Sequence, residues 1–378
     1  MIYLDYAANT PVDREVLRAF DEATIKYFGN PNSSHGAGVD AKKAIDLVSE
    51  NISKYFNTSS ESVIYTSGSS ESNNLVIKGL VEANKKNGNK IIISAVEHSS
   101  IVAPCNYLVN LGYDVSVIPL TDKGVVDVEK IREELDDNTI LVSICAVDGE
   151  VGTIEPIEEI AKIVKEYPNC SFHTDATQAI GKVNINYEDV DFITFAPHKF
   201  FGLNGFGVLV NRNNKKLMPI IHGGKSTTIF RSGTPVTANV VALGKAFELA
   251  TSNLEYRYNY NKKINGLLRD KLSGYDHVHI NSPINSIPST LNISLIGISS
   301  KSMIKELNEK EIYLTTTTAC SLDDMMSKPV YALTNSEELA NNTIRISISH
   351  LTTEDDINEF LKEFDIIYNK LLNNANNN

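Results

Sequence analysis

Thr194-Phe195-Ala196-Pro197-His198-Lys199-Phe200-Phe201-Gly202 carries an apolar strand into a His-Lys pair and a glycine. About two dozen residues earlier, Phe172-His173-Thr174-Asp175-Ala176-Thr177-Gln178 takes another strand to an aspartate. A His-Lys pair alone is an ordinary surface pair. With an aspartate at the end of the preceding strand, it supplies the two groups that pyridoxal phosphate (PLP) chemistry needs. The lysine amine forms a Schiff base, and the carboxylate keeps a proton on the pyridine nitrogen so that the ring draws electrons.

Outward from this pair, strand-like and helix-like stretches alternate from about residue 60 to 210. Residues 62–66, 90–94, 114–119, 139–144, 171–173, 192–195 and 207–210 read as strands. Residues 71–85, 100–111, 128–135 and 157–166 read as helices. The alternation predicts an α/β fold with a mostly parallel sheet covered on both faces. Ligands of such sheets lie beyond the carboxyl ends of the strands, where Asp175 and Lys199 are expected. Residues 240–268 read as one or two long helices leading into a second domain, with the boundary expected near residue 255. Beyond it, alternating strands at 289–295 and 343–349 lie among helices at 300–309 and 353–372.

A chain of 378 residues is long enough for two domains and a large core. Its net charge of −12 argues against nucleic acid as a partner, because phosphate backbones require a basic surface. Cys105, Cys145, Cys170 and Cys320 are far apart and form no CxxC pair, which excludes a disulfide framework or zinc site and suits a reducing cytoplasm. Cys105, Cys145 and Cys170 lie in helix- or strand-like segments and read as core cysteines. Met1-Ile2-Tyr3-Leu4-Asp5 begins directly as strand-like sequence without a signal-peptide pattern, and no apolar run reaches membrane-spanning length. The expectation is a cytoplasmic protein with no membrane or nucleic-acid partner.

Tyr65-Thr66-Ser67-Gly68-Ser69-Ser70-Glu71-Ser72-Asn73-Asn74 joins a strand to a helix. Serines at a helix start serve as ordinary caps. The free N–H groups and positive dipole end there also attract an anion. Gly68 permits close approach, and Ser69 and Ser70 have hydroxyls to donate. Ahead of an Asp175–Lys199 pair, this stretch reads as a phosphate cradle.

These segments resemble the cysteine desulfurases of the NifS/IscS group, in the class V (fold type I) PLP enzymes, nearly end to end. Leu4-Asp5-Tyr6-Ala7-Ala8-Asn9-Thr10-Pro11 is similar to the family's opening motif, and Tyr27-Phe28-Gly29-Asn30-Pro31 follows in order. Residues 66–74 resemble its phosphate loop, and Glu97-His98 the pair whose histidine stacks on the PLP ring. By the same likeness Asp175 is the pyridinium aspartate, Gln178 lies near the ring oxygen, and His198-Lys199 carries the Schiff-base lysine. His222-Gly223-Gly224 and Arg231-Ser232-Gly233-Thr234 also match; the family's threonine reaches the phosphate of the neighbouring subunit, which implies a homodimer. Ala319-Cys320-Ser321 falls at the sulfur-accepting cysteine, and Arg345 at the arginine that binds the substrate carboxylate. The resemblance implies a large PLP-binding domain over residues 14–255 and a smaller α+β domain from 1–13 and 256–378.

The activity so implied converts L-cysteine to L-alanine. Lys199 removes the Cα proton, Asp175 keeps the ring protonated, Arg345 clamps the carboxylate, and the Cys320 thiolate takes the sulfur as a persulfide. His98 stacks on the ring and is placed to shuttle a proton. The sulfur goes to an acceptor or scaffold protein, with iron–sulfur cluster assembly and tRNA thiolation as alternative destinations. His173 reads as structural, and His35 lies near the family's active-site entrance.

Three stretches depart from the family's pattern. Val147-Asp148-Gly149-Glu150 stands where the family has Val-Asn-Asn-Glu, so Gly149 offers no amide to cofactor or substrate, and a carboxylate at Asp148 would repel the substrate's own. Ala196 replaces a serine that helps hold the phosphate; one hydrogen bond to a charged group is worth roughly 1.5–3 kcal/mol. Thr315-Thr316-Thr317-Thr318 precedes Cys320 where the family is rich in Ser and Gly, and Asp323 and Asp324 follow, disfavouring a thiolate. Two alternatives follow: a related PLP enzyme with another amino-acid substrate, or a catalytically weakened homologue serving as a scaffold.

Overall fold

The structure is a computed structural model and describes residues 1–316 and 326–376. Its strands are β1 (Ile2–Tyr3), β2 (Val63–Thr66), β3 (Lys90–Ser94), β4 (Asp114–Ile118), β5 (Thr139–Ser143) and β6 (Ser171–Asp175). They continue with β7 (Phe192–Phe195), β8 (Gly207–Asn211), β9 (Val278–Ile280), β10 (Thr290–Leu295), β11 (Ile312–Tyr313) and β12 (Thr343–Ser347). The main sheet has the order β2-β8-β7-β6-β5-β3-β4. Strands β7, β6, β5, β3 and β4 pair in parallel, whereas β8 runs antiparallel to both β7 and β2. The carboxyl ends of β2, β3, β5, β6 and β7 therefore share one edge.

Side chains along a strand alternate between faces, so a strand buried on both sides reads as a continuous apolar run. Ile92, Val142, Phe172, Ile193 and Val208 face one core with Ile45, Leu243 and Phe247 from helices Gly36–Tyr55 and Thr237–Ser252. Their neighbours Ile91, Ile93, Leu141, Phe192 and Leu209 face the other core, with Leu75, Leu80, Ile101 and Cys105 from helices Ser69–Asn84 and Ser99–Val109.

The long helical stretch after residue 236 is two helices, Thr237–Ser252 and Leu254–Leu272, that meet at Asn253. Helices Arg14–Lys26 and Gly36–Tyr55 were not expected from the sequence, where Gly36 and Gly38 weaken the helical signal. A further antiparallel sheet, β12-β10-β9, packs with Leu4, Ile264, Leu268, Phe360 and Phe364 in a separate core. The N-terminal segment threads between its neighbours there: β1 pairs in parallel with β11, and Ser347 N–H donates to the Leu4 carbonyl at 2.8 Å. Among the described residues no helix is long and apolar enough to cross a membrane.

The antiparallel partner β8 also backs the turn after β2. A Cβ on Gly207 would sit 2.4 Å from the Gly68 carbonyl carbon, and backbone cannot yield as a side-chain tip does. Gly207→Ala should cost about 1–3 kcal/mol in urea unfolding and displace the turn ahead of Ser69.

Candidate active site

The shared strand edge opens into a cavity of about 380 Å³, within the ~300–1,000 Å³ of small-molecule sites. Ser69, Ser70, His98, Asp175, Gln178, His198, Lys199 and Arg345 all line it. Thr234 does not; it is exposed, just ahead of helix Thr237–Ser252. Cys320 lies outside the described residues.

Asp175 is the last residue of β6 and is buried. Its Oδ2 accepts from Asn73 Nδ2 at 2.8 Å and its Oδ1 from Thr177 N–H at 2.9 Å. Asn73 also donates to Ser100 Oγ and accepts from Thr194 Oγ1, so one amide ties helix Ser69–Asn84 to β6 and β7. This residue was missed in the sequence, although it stands one helical turn after Ser69. Helix Ser69–Asn84 starts at Gly68 with no side-chain cap on its first N–H groups, and Ser69 and Ser70 face the cavity.

β7 ends at Phe195, and a single tight turn, Pro197–Lys199, presents the lysine. Lys199 Nζ donates to the carbonyls of Ala7 and Ala8 at 2.8 and 2.6 Å. Gln178 Nε2 donates to the same Ala7 carbonyl at 3.0 Å. Thr10 pins the other side of the lysine turn, its Oγ1 donating to His198 O at 2.9 Å and accepting from Phe201 N–H at 2.7 Å. Burial beside Lys199 and Lys182 draws the His198 pKa down to about 4. Ala196 is fully buried and brings no hydroxyl to the site.

Arg345, on β12, is almost wholly buried at 1% exposure. Its Nη2 pairs with Asp5 Oδ1 at 2.9 Å, and its Nη1 donates to Gly149 O at 2.9 Å. Its Nε is buried and has no hydrogen-bond partner among the described residues. The backbone of Gly149 thus meets the arginine that an amide side chain would otherwise approach. Asp148 Oδ1 turns back to accept N–H groups of Glu150 and Val151 at 2.9 and 2.5 Å, and burial pushes its carboxyl up to about 7. Its carboxylate is engaged within its own loop.

His98 caps helix Ser99–Val109, with Nδ1 accepting the Ser100 N–H at 3.2 Å. That bond fixes the proton of the neutral ring on Nε2. Burial lowers its pKa, with Lys199 adding to the effect against Asp175. His35 likewise caps helix Gly36–Tyr55, and does not line the cavity. His173 is buried between Ser143 Oγ and Thr194 Oγ1. Cys105, Cys145 and Cys170 are buried free thiols held well above the ordinary thiol range by burial, with Cys145 also at the cavity wall.

The donor set fits PLP. An uncapped helix start suits a phosphate, Asp175 a protonated ring nitrogen and Lys199 an aldehyde; Thr177 Oγ1 and Arg345 Nε, on residues of the cavity wall, are buried with no hydrogen-bond partner among the described residues.

The aminotransferase class-V family matches residues 2–360. The cysteine desulfurase IscS of Dictyoglomus turgidum is 36% identical over 375 residues, covering 98% of this chain and 95% of that protein. The solved structure of a NifS-like protein superposes with a TM-score of 0.92 at 32% identity, over 98% of this chain and 100% of that one. A structure of SspA in complex with cysteine superposes with a TM-score of 0.81 at 30% identity, over 92% of this chain and 99% of that one.

Glu97 lines the same cavity. Its Oε1 accepts from Ser94 Oγ and Cys145 N–H at 2.6 and 2.8 Å, while its Oε2 has no partner among the described residues. Burial pushes this carboxyl up to about 8, with Asp175 and Glu155 adding to the shift. An unfolded glutamate titrates near 4.3, so between about pH 4.5 and 8 the folded state holds the extra proton and stability falls as pH rises. Glu97→Gln removes that dependence: its stability relative to the parent, measured by urea unfolding, should rise between pH 5 and pH 8.

Proposed function

The chain belongs to the aminotransferase class-V family, among its NifS- and IscS-type cysteine desulfurases, and we propose that it converts L-cysteine to L-alanine and passes the sulfur to an acceptor protein. The observation that carries this reading is the convergence on one cavity of Asp175 and Lys199, from neighbouring strands of the main sheet, and Arg345, from the other sheet. Among the described residues, Asp175, Lys199 and Arg345 are all at the cavity, as the desulfurase reading requires, and Asp148 is turned into its own loop.

PLP would be held by Lys199, Asp175, the helix start at Ser69 and Ser70, and Gln178 near its ring oxygen, with His98 against its ring. Bound there it supplies an electron sink for the charge left when the Cα–H bond of an amino acid breaks. Arg345 binds the substrate carboxylate through its spare N–H groups, while Asp5 and Gly149 O hold the guanidinium in place. Lys199 takes the Cα proton and Asp175 holds the proton on the ring nitrogen. Cys320, as thiolate, attacks the substrate Sγ; the C–S bond breaks, the sulfur stays on Cys320 as a persulfide, and the carbon skeleton is protonated to alanine.

Residues 14–255 form the cofactor-binding part in this reading, and 1–13 with 256–378 the smaller part, as the separate apolar cores support. We further read the chain as half of a homodimer, since Thr234 is exposed and outside its own cavity. A cytoplasmic setting and an acceptor in iron–sulfur cluster assembly complete the proposal.

With a thiol reductant present, wild type should release sulfide from L-cysteine, and Cys320→Ala should fall to background. No sulfide from PLP-loaded wild type would sink the desulfurase reading. Lys199→Ala should lack the visible absorption band of the holoprotein, and survival of that band would remove Lys199 from its role.

A further inference from the structure

We propose that Lys182 is a positioning residue: its amine fixes the side-chain amide of Gln178, so that the amide nitrogen faces Lys199 and the cavity. Lys182 Nζ donates to Gln178 Oε1, and Gln178 Nε2 donates to Ala7 O at 3.0 Å. The same Ala7 carbonyl accepts from Lys199 Nζ at 2.8 Å. The two ends of a glutamine amide have nearly the same shape, and only their hydrogen-bond partners choose between them. Reversing this amide would aim Nε2 at the Lys182 amine and Oε1 at the Ala7 carbonyl. Two bonds would become two repulsive contacts.

Lys182 sits behind the site. It lines a second, smaller cavity together with Tyr6, Arg257, Asn261 and His350, and Ala7 and Lys199 belong to the walls of both cavities. Lys199, Arg345 and His198 are the other ionisable groups whose charge it meets, and no carboxylate among the described residues pairs with it. Burial, with Lys199 and Arg345, draws its pKa down to about 7. A charged Lys182 only donates and selects the orientation outright; a neutral amine can also accept, and there the Ala7 carbonyl keeps Gln178 Nε2 in place. The charge is a separate matter: a protonated Lys182 near Lys199 disfavours a proton on the Lys199 nitrogen.

The spectroscopic part of the test rests on the reading of Lys199 as the PLP-bearing lysine. Lys182→Met keeps an unbranched stem as far as Cε and removes the donor. In the holoprotein it should weaken PLP binding roughly 5–10-fold, the loss of about one hydrogen bond. It should also raise the pH midpoint of the visible band. Gln178→Ala should weaken PLP binding as well, and the double variant should bind PLP no more weakly than Gln178→Ala alone. Additive losses, or a Lys182→Met protein with unchanged PLP affinity and midpoint, would overturn the proposal, including the case in which only thermal stability falls. If wild type shows no visible band, the reading of Lys199 fails, and the same four proteins decide the matter without cofactor. In urea unfolding of the apoproteins the two substitutions should be non-additive, and additivity there would overturn the coupling.

Discussion

Positive charge gathered at one sheet edge is the constraint around which this site is built. Lys199, Lys182 and Arg345 all approach the cavity region, and an unpaired buried charge costs several kcal/mol. Arg345 is offset by Asp5 and the Gly149 carbonyl, Lys199 is held by the carbonyls of Ala7 and Ala8, and Lys182 by the amide oxygen of Gln178. Mostly neutral oxygens do this work, so the region keeps a net attraction for anions. Two acids that line the cavity are muted: burial raises Glu97 to about 8 and Asp148 to about 7. A phosphate and an amino-acid carboxylate are the anions that such an arrangement suits.

The parts of the site legible in the sequence are those fixed by a strand and the turn after it. Asp175, Lys199, His98 and the Ser69-Ser70 helix start each follow a short apolar run, and the parallel sheet carries all of them to one edge. Their partners were harder to see. Asp5 meets Arg345 across 340 positions, and no local spacing announces such a pair. Lys182 stands four residues after Gln178, a helical-turn interval, within a stretch of turns that no periodicity marks. Asp148 shows the converse: its residue type suggested a repulsive carboxylate, yet the direction of the side chain, set by two N–H groups of its own loop, turns it aside.

The first ten residues join what the two sheets hold apart. Asp5 grips Arg345, Ala7 and Ala8 hold Lys199, and Thr10 fastens the turn on either side of the lysine. Ile2 and Leu4 donate to Glu311 and Tyr313 carbonyls, and Leu4 accepts from Ser347. Thr10 meets His198 and Phe201 188 and 191 positions further on, whereas Asp5 meets Arg345 340 positions further on. Synthesis from the amino end therefore offers this segment the lysine turn well before the arginine strand. The brace that the lysine and the arginine share is completed in two stages, the lysine side first.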